Sequence, residues 1–199
     1  MGCSQIRFPE NAEDSFFYGT SNEGELFTAC WATKKGEQAT RVELLVDYWD
    51  YVRNYRPTIN LQISPFYDNI ILTIHDSMFC IWRTDCEEPI FISPTIEGTY
   101  ITCGFFSPQR PGVCFIGRAD GRIDIWDFVD QSNAPTQQHL VVAIGINSMS
   151  INMKNPRLCA VGDRDGCLHL LQLPVNLVRP ITNELTSMQD FFEREKERV

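Results

Sequence analysis

The chain has 199 residues, 43% apolar and 22% charged, a mix that suits one folded domain with a real core and excludes disorder throughout. Its formal charge of −9 comes from acids spread along the sequence, which argues against nucleic acid as a partner held by broad electrostatics. The longest apolar runs, NIILTI and VVAIGI, fall far short of the roughly 20 residues a membrane helix needs, and no signal segment opens the chain, so neither a membrane nor secretion is expected.

Gly2 and Cys3 raise the question of acylation, but the myristoylation pattern needs Ser or Thr at position 6, where Ile6 stands. An ordinary strand from Ser4 to Phe8 is expected instead. Further along, GTSNEGELFTACWA from Gly19, GRADGRIDIWDF from Gly117 and GDRDGCLHLLQL from Gly162 share one plan: a strand ending in Gly, a polar turn, Gly, and a strand. IHDSMFCIWR from Ile74 keeps the plan without the glycines. Trp82 and Trp126 stand 44 residues apart and Gly121 and Gly166 stand 45 apart, at or near the period of about 40 to 45 residues of a WD-repeat propeller blade. The 51 residues from Trp31 to Trp82 imply a longer connection between 34 and 58.

Each copy is preceded by a strand that ends near a proline, at Pro9, Pro65, Pro108 and Pro156. Proline cannot donate to a ladder and belongs where a strand stops. Four blade-like units follow: 4–33 with an outer strand near 40–46, then 59–92, 99–142 and 145–173. Runs such as FFYG, IILTI and VCFIG, apolar at consecutive positions, are expected where both faces of a sheet meet neighbouring blades. The last unit stops after its third strand. The expected fold is therefore all-β: a WD-repeat propeller segment over 1–174, followed by a tail, 175–199, with an amphipathic helix. The segment is either the C-terminal part of a larger propeller or a short member whose open edge needs a partner.

The aromatic stretch DYWDYVRNY, Asp47 to Tyr55, falls in the long connection. It is read as the core of an enlarged loop or as a protein-binding surface, with Tyr48, Trp49 and Tyr51 as candidate contacts. In the tail, Thr182 or Asn183 can cap a helix of about 15 residues on which Leu185, Met188, Phe191 and Phe192 make one apolar stripe. That helix is marginal alone, so the stripe is expected to dock on the blades or on another chain. The charge run EREKER reads as a solvated helix end with pairs such as Glu193 with Lys196.

Chemistry finds little support. Asp163-Arg164-Asp165-Gly166 resembles the start of a calcium loop, but no Glu closes it and a strand follows, so a hairpin with Gly at positive φ is expected. Gly117 and Gly121 precede a strand rather than the helix that a dinucleotide motif requires. Eight cysteines form no Cys-x-x-Cys pair and read as buried thiols of a reducing compartment; the three histidines lie far apart, with His75 in a turn, His139 beside an outer strand and His169 within a strand. No cofactor, no metal and no enzyme activity are expected.

The stretches SPFYDNIILTIHDSMFCIW, RPGVCFIGRADGRIDIWDF and LHLLQLPVNLVRPITNELTSMQDFFERE resemble the last blades and tail of the WD-repeat intermediate chains of axonemal dynein, most closely the inner-arm type. The resemblance covers about 59–199 and extends more loosely to 3–33. It implies a non-catalytic subunit that scaffolds dynein heavy chains, beside other intermediate chains and indirectly on microtubule doublets, in the axoneme of a cilium or flagellum. In that family a segment preceding the propeller recruits light chains; none precedes it here, which puts light-chain binding in doubt. His75 and Asp76 depart from the small residues more usual at that turn. A generic cytosolic propeller adaptor that recruits protein partners is the alternative.

Overall fold

The structure is a computed structural model and describes residues 2–9, 16–30, 45–49 and 56–199. Four antiparallel sheets follow one another along the chain, each a meander. The first holds β1 (Cys3–Arg7), β2 (Phe16–Ser21), β3 (Leu26–Cys30) and β4 (Leu45–Trp49). The second holds β5 (Thr58–Ile63), β6 (Ile70–His75), β7 (Phe79–Arg83) and β8 (Phe91–Ile92). The third holds β9 (Ile101–Phe106), β10 (Val113–Arg118), β11 (Arg122–Asp127) and β12 (Gln137–Leu140). Among the described residues the fourth holds β13 (Ile146–Ile151), β14 (Leu158–Asp163) and β15 (Leu168–Gln172), in keeping with its three-strand pattern in the sequence. A 3-10 turn (Val175–Leu177) and helix α1 (Glu184–Lys196) complete the chain. This is a segment of a WD-repeat β-propeller.

One expectation shifts in the first blade. The outer strand lies at Leu45–Trp49 rather than near 40–46, so Tyr48 and Trp49 belong to a strand and not to a loop. Its register sets Tyr48 opposite Phe27 and Trp49 opposite Leu26. His75 and His139 likewise sit inside strands, at the end of β6 and within β12.

The hairpin between second and third strand is built alike in the first, third and fourth blades. Gly24, Gly121 and Gly166 take φ of +92°, +82° and +83°, and each donates its N–H to the carbonyl three residues earlier. Only glycine adopts such angles without strain, which is why the three Gly-containing turns recur. A polar residue ends the second strand each time, with a different chemistry for the same task. The Ser21 hydroxyl accepts from the Glu23 and Glu25 N–H groups. Arg118 donates to Asp120 and Asp124, and the Asp163 carboxylate accepts from the N–H groups of Asp165 and Cys167 and meets His169 at 2.8 Å.

In the second blade that position is His75, and it closes a buried chain. Trp82 Nε1 donates to Thr73 Oγ1 at 2.8 Å, leaving the hydroxyl proton of Thr73 for His75 Nε2 at 3.0 Å. His75 Nδ1 must then carry the ring proton and donate to the Arg56 carbonyl at 3.1 Å. Burial, outweighing that carbonyl contact and the nearby Asp76 charge, lowers the His75 pKa and keeps the ring neutral. Asp76 itself pairs with Arg56 at 2.8 Å.

Side chains alternate between two seams. Ile71 faces the first blade with Leu61, Cys80 and Trp82, beside Tyr18 and Leu26. Ile70, Leu72 and Ile74 face the third blade, against Cys114, Ile116 and Trp126. Val113, Phe115, Ile123 and Ile125 then meet Ile146, Cys159 and Val161 of the fourth. Both faces of the middle sheets are thus covered, which is why β6 is buried at all six positions. The inner strands add polar ties: Asn60 Nδ2 donates to the Gly104 carbonyl at 2.8 Å and the Phe106 N–H donates to Gln62 Oε1 at 2.6 Å. Inner strands pack β1 on β5, β5 on β9 and β9 on β13; among the described residues no comparable packing returns from the fourth blade to the first. The arc is open.

Consequently β14 alternates: Cys159 and Val161 are covered by the third blade, while Leu158 on the other face stays exposed with Leu168 and Leu170 of β15. The expectation of buried thiols holds for Cys80, Cys114 and Cys159, with burial pushing Cys80 up to about 12 and Cys159 up to about 11, and fails for Cys3 and Cys167, which are exposed.

Two tests follow from these contacts. A Cβ on Gly121 would stand 1.8 Å from the Val142 carbonyl oxygen, whereas at Gly166 it would meet nothing. Gly166→Ala should therefore cost only backbone strain, about 1 kcal/mol, and Gly121→Ala about 3 kcal/mol or more, read as denaturant midpoints. For His75, the folded pKa lies below the unfolded value, so the stability it confers is present above about pH 6.5 and is lost as pH falls through the folded value. His75→Gln should lose that pH dependence, measured as stability against pH from 7.5 down to 4.5 at about half-unit steps.

Candidate partner-binding surface

The tail does not trail into solvent. Helix α1 lies across the seam between the second and third blades, and its placement starts from one buried ion pair. Arg110, in the loop between β9 and β10, and Glu184, the first helical residue, have side chains only 2% and 1% exposed. Arg110 Nε donates to both Glu184 oxygens at 3.0 and 3.1 Å, and its Nη1 donates to Asp127 Oδ2 at 2.7 Å and to the Asn176 carbonyl at 2.9 Å. Glu184 also accepts from the N–H groups of Gly112 and Ile181. Burial disfavours the Arg110 cation, but the hydrogen bonds and charges of Glu184 and Asp127 outweigh it and raise its pKa.

The ion pair, rather than a side-chain capping bond, fixes where the helix starts. Asn183 stands at the cap position in the left-handed region, φ 62°, and its side chain makes no capping bond. The helix runs 13 residues, two fewer than the stripe suggested.

Three of the four stripe residues turn inward. Met188, Phe191 and Phe192 are buried with Phe79, Trp126 and Phe128 of the two blades. Phe191 sits 5.5 Å from Phe128 between ring centroids, and Phe192 meets Tyr67 edge-on at 5.4 Å. Full burial of such side chains is worth about 1.5–3 kcal/mol each, enough to hold a helix too short to persist alone. Leu185 instead stays exposed, and its carbonyl accepts from the Tyr67 hydroxyl at 2.7 Å. Burial, with the Glu184 charge nearby, pushes that hydroxyl up to about 12, so it remains a donor.

The charged end of the helix also differs from expectation. Glu193 reaches Arg83 at 2.8 Å and Lys196 reaches Asp85 at 2.7 Å, both on the second blade, instead of pairing with each other. Glu193 and Asp85 are about half exposed, so solvent weakens these bonds and they orient the helix more than they hold it. Of the remaining candidates, Tyr48 and Trp49 lie on β4 at the outer edge of the first blade, far along the chain from the helix, and Tyr51 lies outside the described residues. The structure therefore brings Met188, Phe191 and Phe192 together as one seam-filling group and gives Leu185 a separate, outward position. Sequence reasoning missed Arg110, Tyr67 and Arg83. Each lies remote from the helix in sequence and carries no local motif.

Among the described residues no three His, Cys, Asp or Glu side chains converge as metal ligands. Beside Arg110 a cleft of about 740 Å³ opens, walled by Asp127, Asp130, Val129, Arg179 and Ile181. Its wall mixes charged and apolar side chains.

The packing makes the four stripe residues separable by experiment. Phe191→Ala should lower stability by about 3–5 kcal/mol, whereas Leu185→Ala should stay within about 0.5 kcal/mol, both by chemical denaturation with helix signal followed at 222 nm as roughly the helical band.

With the fold and its open surfaces in view, comparison with known proteins gives a consistent answer. Residues 2–173 match the family described as the dynein axonemal intermediate chain 3 WD40 domain. The chain is 33% identical over 182 residues to the human dynein axonemal intermediate chain 3, covering 90% of this chain and 20% of that protein. Its mouse counterpart is 31% identical over 198 residues, covering 98% and 21%. The 70 kDa intermediate chain of the flagellar outer arm dynein of Chlamydomonas reinhardtii is 28% identical over 200 residues, covering 100% and 34%. This chain thus spans about a fifth of the length of the first two relatives and about a third of the third. The match runs through all four sheets and stops where the fourth ends, and on that extent the chain belongs to the dynein axonemal intermediate chain 3 WD40 domain family.

Proposed function

We propose that the chain serves as a non-catalytic structural part of an axonemal dynein, holding heavy chains in place for ciliary or flagellar motility. The observation that carries this reading is the family match across residues 2–173, joined to relatives whose names place them in axonemal and flagellar outer-arm dyneins. The packing agrees: blades joined by continuous apolar seams, with the tail helix fixed across two of them, suit a scaffold.

In this reading the partners are dynein heavy chains and neighbouring intermediate chains, with microtubule doublets reached indirectly. Contacts are placed in this reading at the exposed Leu185 and at the aromatic residues read from the sequence as interface candidates. Tyr48 and Trp49 on the outer strand of the first blade, Tyr51 beyond it and Leu185 at the start of the helix are the candidates, since aromatic and large apolar residues dominate interfaces. Met188, Phe191 and Phe192 contribute by fixing the helix to the second and third blades. A generic cytosolic adaptor shares the blades but has no separate observation in its favour.

Tagged protein expressed in ciliated cells or sperm should concentrate in axonemes and recover a dynein heavy chain in pull-downs. The combined substitution Tyr48→Ala, Trp49→Ala and Leu185→Ala should reduce that recovery roughly tenfold, with the unfolding midpoint measured alongside to separate lost contacts from lost fold. Diffuse distribution without any heavy chain would exclude the proposal.

A further inference from the structure

The segment between β8 and β9 presents a tyrosine at the seam between the third and fourth blades. Residues 93–100 are irregular, and Pro94, Thr95, Glu97 and Gly98 are exposed. The stretch is pinned to the β6–β7 turn, since the Ile96 N–H donates to the Ser77 carbonyl and the Ile101 N–H to the Asp76 carbonyl. Gly98 between them takes φ +75°, with open space where a Cβ would stand. Tyr100 is held through its backbone, whose carbonyl accepts from the Ala119 N–H, while the residue stays 43% exposed.

Across the seam Arg164, in the turn between β14 and β15, meets that side chain in two ways. Its Nη2 donates to the Tyr100 hydroxyl oxygen, and its guanidinium carbon lies 5.2 Å from the ring centroid. Arg164 is exposed and makes no ion pair among the described residues, so a full positive charge faces a neutral oxygen. Acids of the two flanking turns are already engaged, Asp120 with Arg118 at 2.8 Å and Asp163 with His169 at 2.8 Å. The other tyrosines with described side chains are shielded: Tyr18 is buried, and the Tyr67 hydroxyl is bonded to the Leu185 carbonyl against α1.

We propose that Tyr100 is a phosphorylation site whose product Arg164 holds, so that modification fastens the third blade to the fourth. The donor is ATP, brought by a protein tyrosine kinase: its γ-phosphoryl forms a P–O bond to the tyrosine oxygen as the bond to departing ADP breaks, and the hydroxyl proton passes to the kinase's base. A phosphoryl group on tyrosine carries about −1.5 to −2 charge and three acceptor oxygens, which a planar guanidinium meets with two parallel N–H donors. A single bond to a neutral hydroxyl thus becomes a bidentate ion pair. The irregular, exposed segment gives the access that a second enzyme's active site requires, which a tyrosine in the middle of a buried ladder lacks. The inference rests on the geometry of this seam and not on which complex the chain serves.

The test uses the 199-residue chain, a broad-specificity tyrosine kinase domain with Mg-ATP, and mass spectrometry to map the phosphate, with a free peptide of residues 94–104 as the unfolded control. Tyr100 should be modified in the folded chain, and Tyr100→Phe should lose that phosphate while any on other tyrosines remains. A tyrosine phosphatase should then remove it roughly tenfold more slowly than from Arg164→Gln, with Arg164→Lys in between, because lysine cannot make the paired contact. Modification of the peptide without the folded chain overturns the proposal, and so does failure to modify either. Equal rates of removal from the chain and from Arg164→Gln overturn it as well, since the phosphate is then not held.

Discussion

A sheet that carries apolar side chains on both faces is stable only between two others, and the whole arrangement follows from that requirement. Ile70, Leu72 and Ile74 on one side of β6 and Ile71 on the other commit the second blade to neighbours in both directions. The third blade is bound in the same way through Cys114 and Ile116 on one face and Val113 and Phe115 on the other. Polar groups follow: Thr73, His75 and Trp82 can be buried in a seam only because each donor there finds an acceptor. At the ends of the arc the requirement is unmet, and Leu168 and Leu170 are left in water.

The helix meets the same requirement at the rim of the seam between the second and third blades. Its aromatic residues lie over Trp126 and Phe128, where the outer strand of the second blade, β8, is only two residues long. The Arg110–Glu184 pair sets where the helix starts. A buried ion pair adds little net stability, since desolvation offsets attraction, but loss of one partner strands the other charge. Its contribution is registry: Glu184 must meet Arg110, Gly112 and Ile181 together, and only one placement of the helix does that. A rigid tail fixed to two blades suits a scaffold, whose task is to hold surfaces at set distances. The exposed Leu185 and the outer strand of the first blade then stand at defined positions on one body.

Much of the fold was legible because its signals are local. The glycine turns at Gly24, Gly121 and Gly166 need positive φ, and prolines after β1, β5, β9 and β13 mark strand ends, so period and strand order could be read along the chain. The outer strand of the first blade was placed a few residues early because its aromatic residues suit a loop interface as well as an edge strand. At Asn183 the cap position was legible but what fixes the helix start was not: the Glu beside it accepts bonds from a loop more than 70 residues earlier in the chain, and no local rule carries that information. The pairing of Glu193 with Lys196 failed likewise, because Arg83 and Asp85 compete for the same side chains only once the blade is in place.

By itself the sequence determined the blade period, the turn chemistry, the missing fourth strand of the last unit and the family resemblance, all of which rest on short-range steric and hydrogen-bonding rules. The tertiary structure alone decided which stripe residues are buried, which face of the last blade is bare and where the helix begins. Those outcomes depend on side chains brought together from distant parts of the chain. Burial and charge pairing are properties of the assembled seam, and a stripe of Leu, Met and Phe reads the same in sequence whether it will meet a blade, a partner or water.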